Sequence, residues 1–337
     1  MAKPNLHTVA AHAGVSIATV SKVVNGVRYG ISEATLEKVL ASVAELGYRP
    51  NRAGRGLRTL RRSIIGLAIV DPSPAFLADP FTTNLVAGLS NHLSERGFGL
   101  LLHGIKPGQV DASFLVKETV VDGLCLLLSG SSEERRDTTR LFVGLGQPLV
   151  VFQEAPSESI ADACFVNQDD GAGATALAHQ VLRRGPKTAL IVIPDIVWPA
   201  IELRLAAFSR ILESAEVAVT VLRCDESNPD AIADTIGAHI DTAGRPDVIL
   251  GANDNIAIVA MRLLQARGAR VPEDVAVTGF NAFPSNDYAG LNLTTVRSAA
   301  YALGELGGRL MLERLETEGF EKREYTLPVQ IVPGATA

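Results

Sequence analysis

From Ser63 onwards, two hydrophobic periods alternate along the chain, and this alternation limits the possible folds more than any other feature. Short apolar runs rich in Val, Ile and Leu are separated by longer segments whose apolar residues recur at helical spacing. This pattern is typical of repeated βαβ units, in which helices connect and cover parallel strands. The number of runs in residues 63–337 favours two doubly wound parallel-sheet subdomains over one.

The predicted elements follow from these runs. Strands are predicted at Ile64–Val70, Gly99–His103, Gly123–Leu128, Leu149–Phe152, Ala189–Ile193, Val217–Arg223, Val248–Gly251, Val275–Phe280 and Thr326–Ile331. Helices are predicted between them, among others at Thr83–Arg96, Ala172–Arg184, Arg204–Ala215 and Asn255–Arg267. We expect a first subdomain of about residues 63–165 and 299–326, and a second of about residues 166–298 and 327–337.

Residues 5–48 predict three short helices and no strand. Asn5, Ser16 and Ser32 are placed to cap these helices, and Gly14 and Gly26 separate them. The inward apolar positions would be Leu6, Val9, Ala10, Ala13, Val20, Val23, Val24, Leu36, Val39, Leu40, Val43 and Leu46. A helix, a glycine turn and a Ser-capped helix form the organisation of a helix-turn-helix. We therefore predict an all-α headpiece in residues 1–48.

Charge is divided unevenly between this headpiece and the rest of the chain. Residues 1–62 carry a net charge of +7, whereas the remainder carries −13, although the whole chain has only −6. The arginine-rich segment 49–62, RPNRAGRGLRTLRR, contains few residues that could build a core and is interpreted as a hinge. A small basic module on a large acidic body predicts a polyanionic partner for the module alone.

Several classes of function find no support in the sequence. Cys125, Cys164 and Cys224 lie far apart and form no CxxC pair, which indicates neither a zinc site nor a disulfide framework. Gly171–Ala176 only loosely imitates a dinucleotide-binding motif, and an acidic segment precedes it. No nucleophile elbow, P-loop or HExxH motif occurs. Neither a signal peptide nor a membrane-spanning run is apparent, so we expect a cytoplasmic protein, not an enzyme, without metal, cofactor or membrane partner.

Residues 8–25, TVAAHAGVSIATVSKVVN, closely resemble the headpiece signature of the LacI/GalR family of transcriptional regulators. The likeness continues in residues 45–51, 63–66, 121–124, 204–208, 252–254, 271–281 and 293–297, and so spans nearly the whole chain. It implies a homodimeric regulator of the repressor type that binds a pseudo-palindromic operator. It also implies a periplasmic-binding-protein-like sensor with a ligand cleft between two subdomains, which makes a sugar or sugar acid the expected effector.

The chain departs from the family pattern at three places. The hinge reads Gly54-Arg55-Gly56-Leu57 where the family usually has Ala-Arg-Ser-Leu. Two cleft positions that are commonly aspartate in the family are Gln153 and Asn281, and a usual Asp-Arg pair reads Gln153-Glu154. Because two fixed negative charges are replaced by amides, Arg204 is expected to lack an opposing charge unless Glu154 points inward. An unopposed arginine would favour an anionic effector.

The second headpiece helix is the predicted recognition helix. Its outward residues Ile17, Ala18 and Lys22 suit base edges, whereas Ser16, Thr19, Ser21 and Asn25 suit phosphates. In the hinge, Leu57 and Arg58 match the residues with which the family pries open the minor groove. The alternatives are a helix pair with an idle surface and a basic linker that is merely solvated.

The predicted effector site consists of residues that follow strands. Trp198 could stack on the C–H face of a sugar, and Arg204, Asn253, Asn281 and Gln153 could supply hydrogen bonds. The alternatives are that Trp198 packs against the neighbouring subdomain and that Arg204 only braces the cleft. At the level of the whole protein, one alternative is an operator binder whose cleft has lost its ligand and responds to a protein partner. The other is an enzyme or free solute-binding protein with an added DNA module.

Overall fold

The computed structural model describes residues 4–48, 62–156, 160, 162–283, 290 and 292–337. The chain divides into two compact units, Met1–Arg62 and Ser63–Ala337. The first unit contains α1 (Leu6–Ala13), α2 (Ile17–Val24) and α3 (Glu33–Glu45), as the sequence predicts.

The headpiece helices begin and end at the residues expected to cap them. The side chain of Asn5 accepts a hydrogen bond from the Thr8 backbone N–H, and Ser16 does the same for Thr19. Gly14 ends α1 in the left-handed region at φ 65°, which glycine adopts without steric cost. The turn between α1 and α2 is therefore encoded locally.

One inward position of α3 was predicted wrongly. Leu40 is 51% exposed, whereas Ser42 is only 4% exposed and its Oγ bonds to His12 Nδ1 at 3.0 Å. The buried face of α3 is centred on Val39 and Ser42. Ser42 can occupy an inward position because His12 satisfies the hydrogen-bonding capacity of its hydroxyl group. The apolar spacing could not reveal this.

The second unit contains two parallel sheets, which confirms the predicted α/β class. The six-stranded sheet has the order β11-β5-β4-β3-β1-β2, and the four-stranded sheet has the order β7-β6-β8-β9. We call the six-stranded sheet with its helices the first subdomain and the four-stranded sheet with its helices the second. The strands are β1 Ile64–Val70, β2 Gly99–Ile105, β3 Gly123–Leu128, β4 Leu149–Phe152, β5 Cys164–Gln168, β6 Thr188–Pro194, β7 Ala218–Cys224, β8 Val248–Gly251, β9 Ala276–Thr278, β10 Thr295–Arg297, β11 Glu324–Leu327 and β12 Gln330–Val332.

Helices cover both sheets, and apolar side chains fill the space beneath them. The α-helices of this unit are α4 Pro80–Glu95, α5 Phe114–Lys117, α6 Ser132–Val143, α7 Asp170–Leu182, α8 Pro199–Ser214, α9 Pro229–Ala243, α10 Asp254–Ala266 and α11 Ala300–Glu316. Short 3-10 turns lie at Phe76–Ala78 and Val110–Ala112. Within the described parts of the chain, no helix is long and apolar enough to cross a bilayer.

The strand predictions failed in two ways. The pattern missed β5, which ends in the polar residues Asn167 and Gln168, and the very short β10. The single strand expected at Thr326–Ile331 is two strands, β11 in the six-stranded sheet and β12 paired antiparallel with β10. Pro328 lies between them and has no N–H to continue the ladder, so the chain leaves one sheet and joins another strand there.

In the first subdomain, α4 and α11 pack at unusually close range. A Cβ added to Gly304 would lie 2.0 Å from the Leu85 carbonyl oxygen, and one added to Gly88 would lie 2.0 Å from that of Tyr301. Because backbone atoms, which cannot rotate away, occupy this space, only glycine fits at the crossing.

Gly304→Ala should therefore lower the free energy of unfolding, by about 1–3 kcal/mol, despite the better helix propensity of alanine. Denaturant unfolding measures the change. Gly319→Ala is the control, because nothing lies within 4 Å of its added Cβ. Equal stability of the two variants would contradict the close packing.

Candidate functional site

A cavity of about 520 Å³ lies in the second unit. It is lined by residues that follow β1 and β4 of the six-stranded sheet and by residues that follow β6, β7 and β8 of the four-stranded sheet. Parallel sheets bind ligands at the carboxyl ends of their strands. The two subdomains thus direct their strand ends towards one cavity.

The structure brings all five predicted effector residues to this cavity. Each comes from a different segment of the chain, and their positions meet only in the folded protein. The five are Gln153, Trp198, Arg204, Asn253 and Asn281.

Arg204 is 3% exposed and fully engaged by the protein. Its guanidinium donates to the Asp170 carboxylate at 2.7 Å, to the Ala252 carbonyl at 2.7 Å and to Asn281 Oδ1 at 3.4 Å. It also lies 3.6 Å above the ring of Phe280. The expectation of an unopposed Arg204 is therefore wrong, since Asp170 opposes it.

Glu154 does not point towards Arg204 either. Its carboxylate accepts a hydrogen bond from Nε of Arg135 at 2.5 Å, and both side chains are buried. With Arg204 neutralised by Asp170, the described residues that line the cavity include no unpaired buried cation that would select an acidic effector.

Gln153 takes part in the same network as Arg204. Its Nε2 donates to Asp170 at 3.0 Å, and its Oε1 accepts from the Gln168 backbone N–H at 3.0 Å. Nε2 of Gln168 donates to Asp170 as well, at 3.0 Å. A primary amide has two N–H groups and two acceptor lone pairs, so Gln153 retains one of each for a ligand.

Hydrogen bonds with other protein groups hold the two asparagines. Oδ1 of Asn253 accepts from the Ile256 backbone N–H at 3.0 Å and so caps α10, while its Nδ2 donates to Glu226. Asn281 adopts a positive φ of 114° and accepts from Arg204. Asn281 is the only cleft asparagine linked to Arg204 in the described part of the chain.

The position of Trp198 is compatible with both roles that the sequence left open. It precedes α8, lines the cavity and is half-buried. It also packs against apolar residues of both subdomain cores. One part of the indole therefore contacts protein across the cleft while another part is available to a ligand.

Sequence reasoning missed the acidic residues of the cavity, Asp71, Asp79 and Glu226. Asp71 directly follows β1, so the strand-end rule that selected Asn253 could have found it. Burial raises the pKa of Asp71. Burial, with the nearby charges of Asp79 and Asp71, raises the pKa of Glu226 to about 7, against the opposing effects of Asn253 and Arg204.

Arg135 links the two subdomains beside the cavity. Arg135 lies near the start of α6 in the first subdomain. In addition to its contact with Glu154, its guanidinium donates to Oε2 of Glu202 on α8 at 3.0 Å. The Gly130 backbone N–H also donates to the Val197 carbonyl at 2.9 Å. These contacts fix one side of the cleft.

In the headpiece, α2 presents the face that the sequence predicts. Ile17 is 39% exposed, and Ala18 and Lys22 are also exposed, whereas Val20 and Val23 are buried. Tyr29, 92% exposed after α2, was not singled out from the sequence, although an exposed aromatic residue in a basic module signals a contact surface.

The polar residues of α2 are partly used by the helix itself. Ser16 caps it with an Oγ–Thr19 Oγ1 contact of 2.9 Å, and Asn25 Nδ2 donates to the Ser21 carbonyl at 2.6 Å. Their roles at phosphates remain predictions. Leu57 and Arg58 lie outside the described residues, so their minor-groove role also remains a prediction.

Comparisons with known proteins agree with both units. A model of bacterial regulatory proteins of the lacI family matches residues 5–51, and a model of a periplasmic binding protein-like domain matches residues 178–337. The HTH-type transcriptional regulator CelR of Thermobifida fusca is 31% identical over 341 residues, which cover 98% of this chain and 97% of CelR. The chain belongs to the lacI family.

Solved structures show the same fold for this lacI-family protein. The Lac repressor dimer bound to operator and the anti-inducer ONPF matches with a TM-score of 0.85 and 24% identity, over 99% of each chain. A CelR–cellobiose complex matches with a TM-score of 0.70 and 27% identity, over 99% of this chain and 100% of that one. The predicted helix-turn-helix and periplasmic-binding-protein-like sensor are confirmed.

Arg135→Met should lower the free energy of unfolding by about 3–5 kcal/mol, because it leaves the buried Glu154 carboxylate without its cation. Glu202→Ala should cost about 1 kcal/mol or less, because the Glu202 side chain is half exposed and solvent screens the pair. Denaturant unfolding separates the two. Arg140→Met, which removes a surface arginine from the same helix, is the control. A smaller loss for Arg135→Met than for Glu202→Ala would contradict this ranking.

Proposed function

We propose that this lacI-family regulator represses transcription by binding a pseudo-palindromic operator as a homodimer, and that a small polar effector in the cavity controls binding. The observation that carries the proposal is the convergence of the five cleft side chains on one cavity. A volume of about 520 Å³ lies in the range of about 300–1,000 Å³ that small-molecule sites occupy.

The DNA-binding part of the proposal rests on α2. Ile17, Ala18 and Lys22 are exposed together on a unit whose sequence is strongly basic. An apolar pair beside a cation matches the thymine methyl groups and guanine acceptors of the major groove. One such helix reads too few base pairs for genomic specificity, so two headpieces in a two-fold dimer would read two half-sites.

The effector part of the proposal narrows the expected chemistry. Amide and indole side chains line the cavity, which suits a hydroxylated ligand with an apolar face, and the related CelR structure contains cellobiose. The sugar-acid alternative loses its support because Asp170 neutralises Arg204. A polyhydroxylated, non-acidic ligand remains the best fit.

Control of DNA binding would follow from the position of the cavity between the subdomains. The chain passes between the two sheets after β5, before α11 and between β11 and β12. A ligand that contacts both cavity walls favours one angle between them, and so shifts the population of the form that binds operator.

An alternative is that a protein partner has replaced the small ligand. It is disfavoured because a cavity of the size of a small ligand is present and is lined by polar groups with unused hydrogen-bonding capacity. The reading as an enzyme or a free solute-binding protein is disfavoured because the related CelR is a transcriptional regulator along its whole length.

Lys22→Ala should weaken operator binding by about 1–3 kcal/mol and relax base preference at one position, because a base contact is lost. Fluorescence anisotropy with operator and scrambled duplexes at fixed salt measures both effects. Lys38→Ala, an exposed lysine of α3, is the control for loss of charge. Equal weakening on operator and scrambled DNA would assign Lys22 to phosphate contact instead of base reading.

Trp198 is the only tryptophan, so its fluorescence should report an effector that stacks on it. Titration with cellobiose, glucose, ribose, glucosamine and gluconate should shift its emission for at least one non-acidic sugar and not for gluconate. Trp198→Phe should keep most of the affinity and Trp198→Ala should lose about tenfold or more, because aromatic stacking on a ligand contributes on the order of 1 kcal/mol or more. No response to any sugar, with operator binding intact, would favour the protein-partner alternative.

A further inference from the structure

The charged residues of the cavity wall are mostly acidic. Arg204 and Asp170 form a buried pair that cancels, which leaves Asp71, Asp79 and Glu226 as carboxylates. Among the described lining residues, the remaining cation is Arg262, an exposed side chain on α10. The cavity therefore carries an excess of negative charge near its buried wall.

The acidic residues come from opposite sides of the cleft. Asp71 and Asp79 belong to the first subdomain, after β1 and at the start of α4, whereas Glu226 follows β7 of the second. Any closure of the cleft brings Glu226 towards two like charges. Repulsion between like charges grows as water is excluded, because the local dielectric constant falls.

Asp79 caps α4 and accepts from the backbone N–H groups of Phe81 and Thr82, whereas protein contacts satisfy Asp71 and Glu226 only in part. Asp71 is 9% exposed and accepts one hydrogen bond, from the Ser73 backbone N–H at 2.8 Å. Glu226 accepts from Nδ2 of Asn253. Neither forms an ion pair with a lysine or arginine in the described part of the chain. A buried carboxylate normally requires a partner of opposite charge.

A metal ion does not provide that charge. Among the described residues, no group of three or more His, Cys, Asp or Glu side chains is placed to hold a metal. A protonated group on an organic ligand would supply this positive charge. The other walls of the cavity include Trp198, Phe76 and Phe81, which suit a carbon skeleton with an apolar face.

We propose that the effector is a small hydroxylated amine, such as an amino sugar, whose protonated nitrogen lies between Asp71 and Glu226. The ammonium group offers three donors, enough to reach carboxylates on both subdomains and hold the cleft closed. This inference rests on the proposed function, because it assigns a ligand class to the same cavity.

The test compares matched ligands by isothermal titration: glucosamine, glucose and gluconate, and galactosamine, galactose and galactonate. At least one amine should bind about tenfold or more tightly than its neutral and acidic counterparts, because a hydrogen bond to a charged group is worth about 1.5–3 kcal/mol. A neutral or acidic member that binds as tightly as its amine, or a panel in which no amine binds, overturns the proposal.

Two conservative variants locate the nitrogen. Glu226→Gln and Asp71→Asn should each remove most of the preference for the amine, while both amides can keep the Asn253 and Ser73 contacts in modified form. Glu213→Gln, an exposed residue of α8 outside the cavity, should leave the preference unchanged. Retention of the full preference in both cavity variants overturns the assignment.

The pH dependence provides an independent readout. Burial raises the pKa of Glu226 to about 7 in the ligand-free protein, with Asp71 and Asp79 facing it across the cleft and Arg204 and Asn253 on its own side. Because binding requires both the ionised carboxylate and the protonated amine, the affinity should rise as the pH increases through the pKa of Glu226 and fall again as the amine loses its proton. A proton should be released when the amine binds to protonated Glu226. Glu226→Gln should lose the rise on the acidic side of this profile. A pH-independent affinity in the native protein contradicts the proposal.

Operator affinity measured with and without each ligand distinguishes the two failures. If the amine preference is absent but cavity ligands still alter operator affinity, only the ligand class is wrong. If the amine binds with the stated preference but changes operator affinity for none of the duplexes tested, the ligand class stands and the proposed coupling to DNA fails.

Discussion

The buried pair of Arg204 and Asp170 organises the centre of the sensor. Asp170 opens α7 and accepts from Gln153, which follows β4, and from Gln168, which ends β5 of the first subdomain. Arg204, on α8 of the second, donates to Ala252 and Asn281 beyond β8 and β9. One ion pair thus connects strand ends of both sheets. Burial of two charges is tolerated because each also makes several hydrogen bonds.

The same pair determines what the cavity can recognise. A free guanidinium would select anions, and the family-like position of Arg204 invited that expectation. Asp170 is 34 residues away in sequence and removes that option by occupying the guanidinium. Recognition then depends on the amides of Gln153 and Asn281, whose remaining hydrogen-bonding groups are neutral, and on carboxylates further along the wall.

Short-range sequence patterns predicted most of the fold, because neighbouring residues largely determine where these strands and helices form. Ile64–Val70, Gly123–Leu128, Leu149–Phe152 and Val248–Gly251 are strands at their predicted limits, since each is a continuous buried apolar run. The strand-end rule also selected Asn253 and Asn281, and the family resemblance selected Gln153, Trp198 and Arg204; all five line the cavity. The strand-end rule could not find ion-pair partners, as with Arg135 and Glu202, because the contact between them depends on packing between two subdomains. The prediction missed the polar end of β5 and the burial of Ser42 for a related reason, because partners that are distant in sequence satisfy the hydrogen bonds of these residues.

The contacts around the cleft act against one another. Arg135 and Glu202, with the Gly130–Val197 backbone bond, hold the two subdomains together at one place. At another place, repulsion between Glu226 of the second subdomain and Asp71 and Asp79 of the first opposes closure of the cleft. The first subdomain does not absorb this conflict internally, because α4 and α11 touch through Gly88 and Gly304 with no space to slide. Under the proposed mechanism, the segments that cross between the sheets would therefore change conformation first. A ligand that neutralises Asp71 and Glu226 would remove the opposing force and leave the Arg135 contacts to set the closed angle.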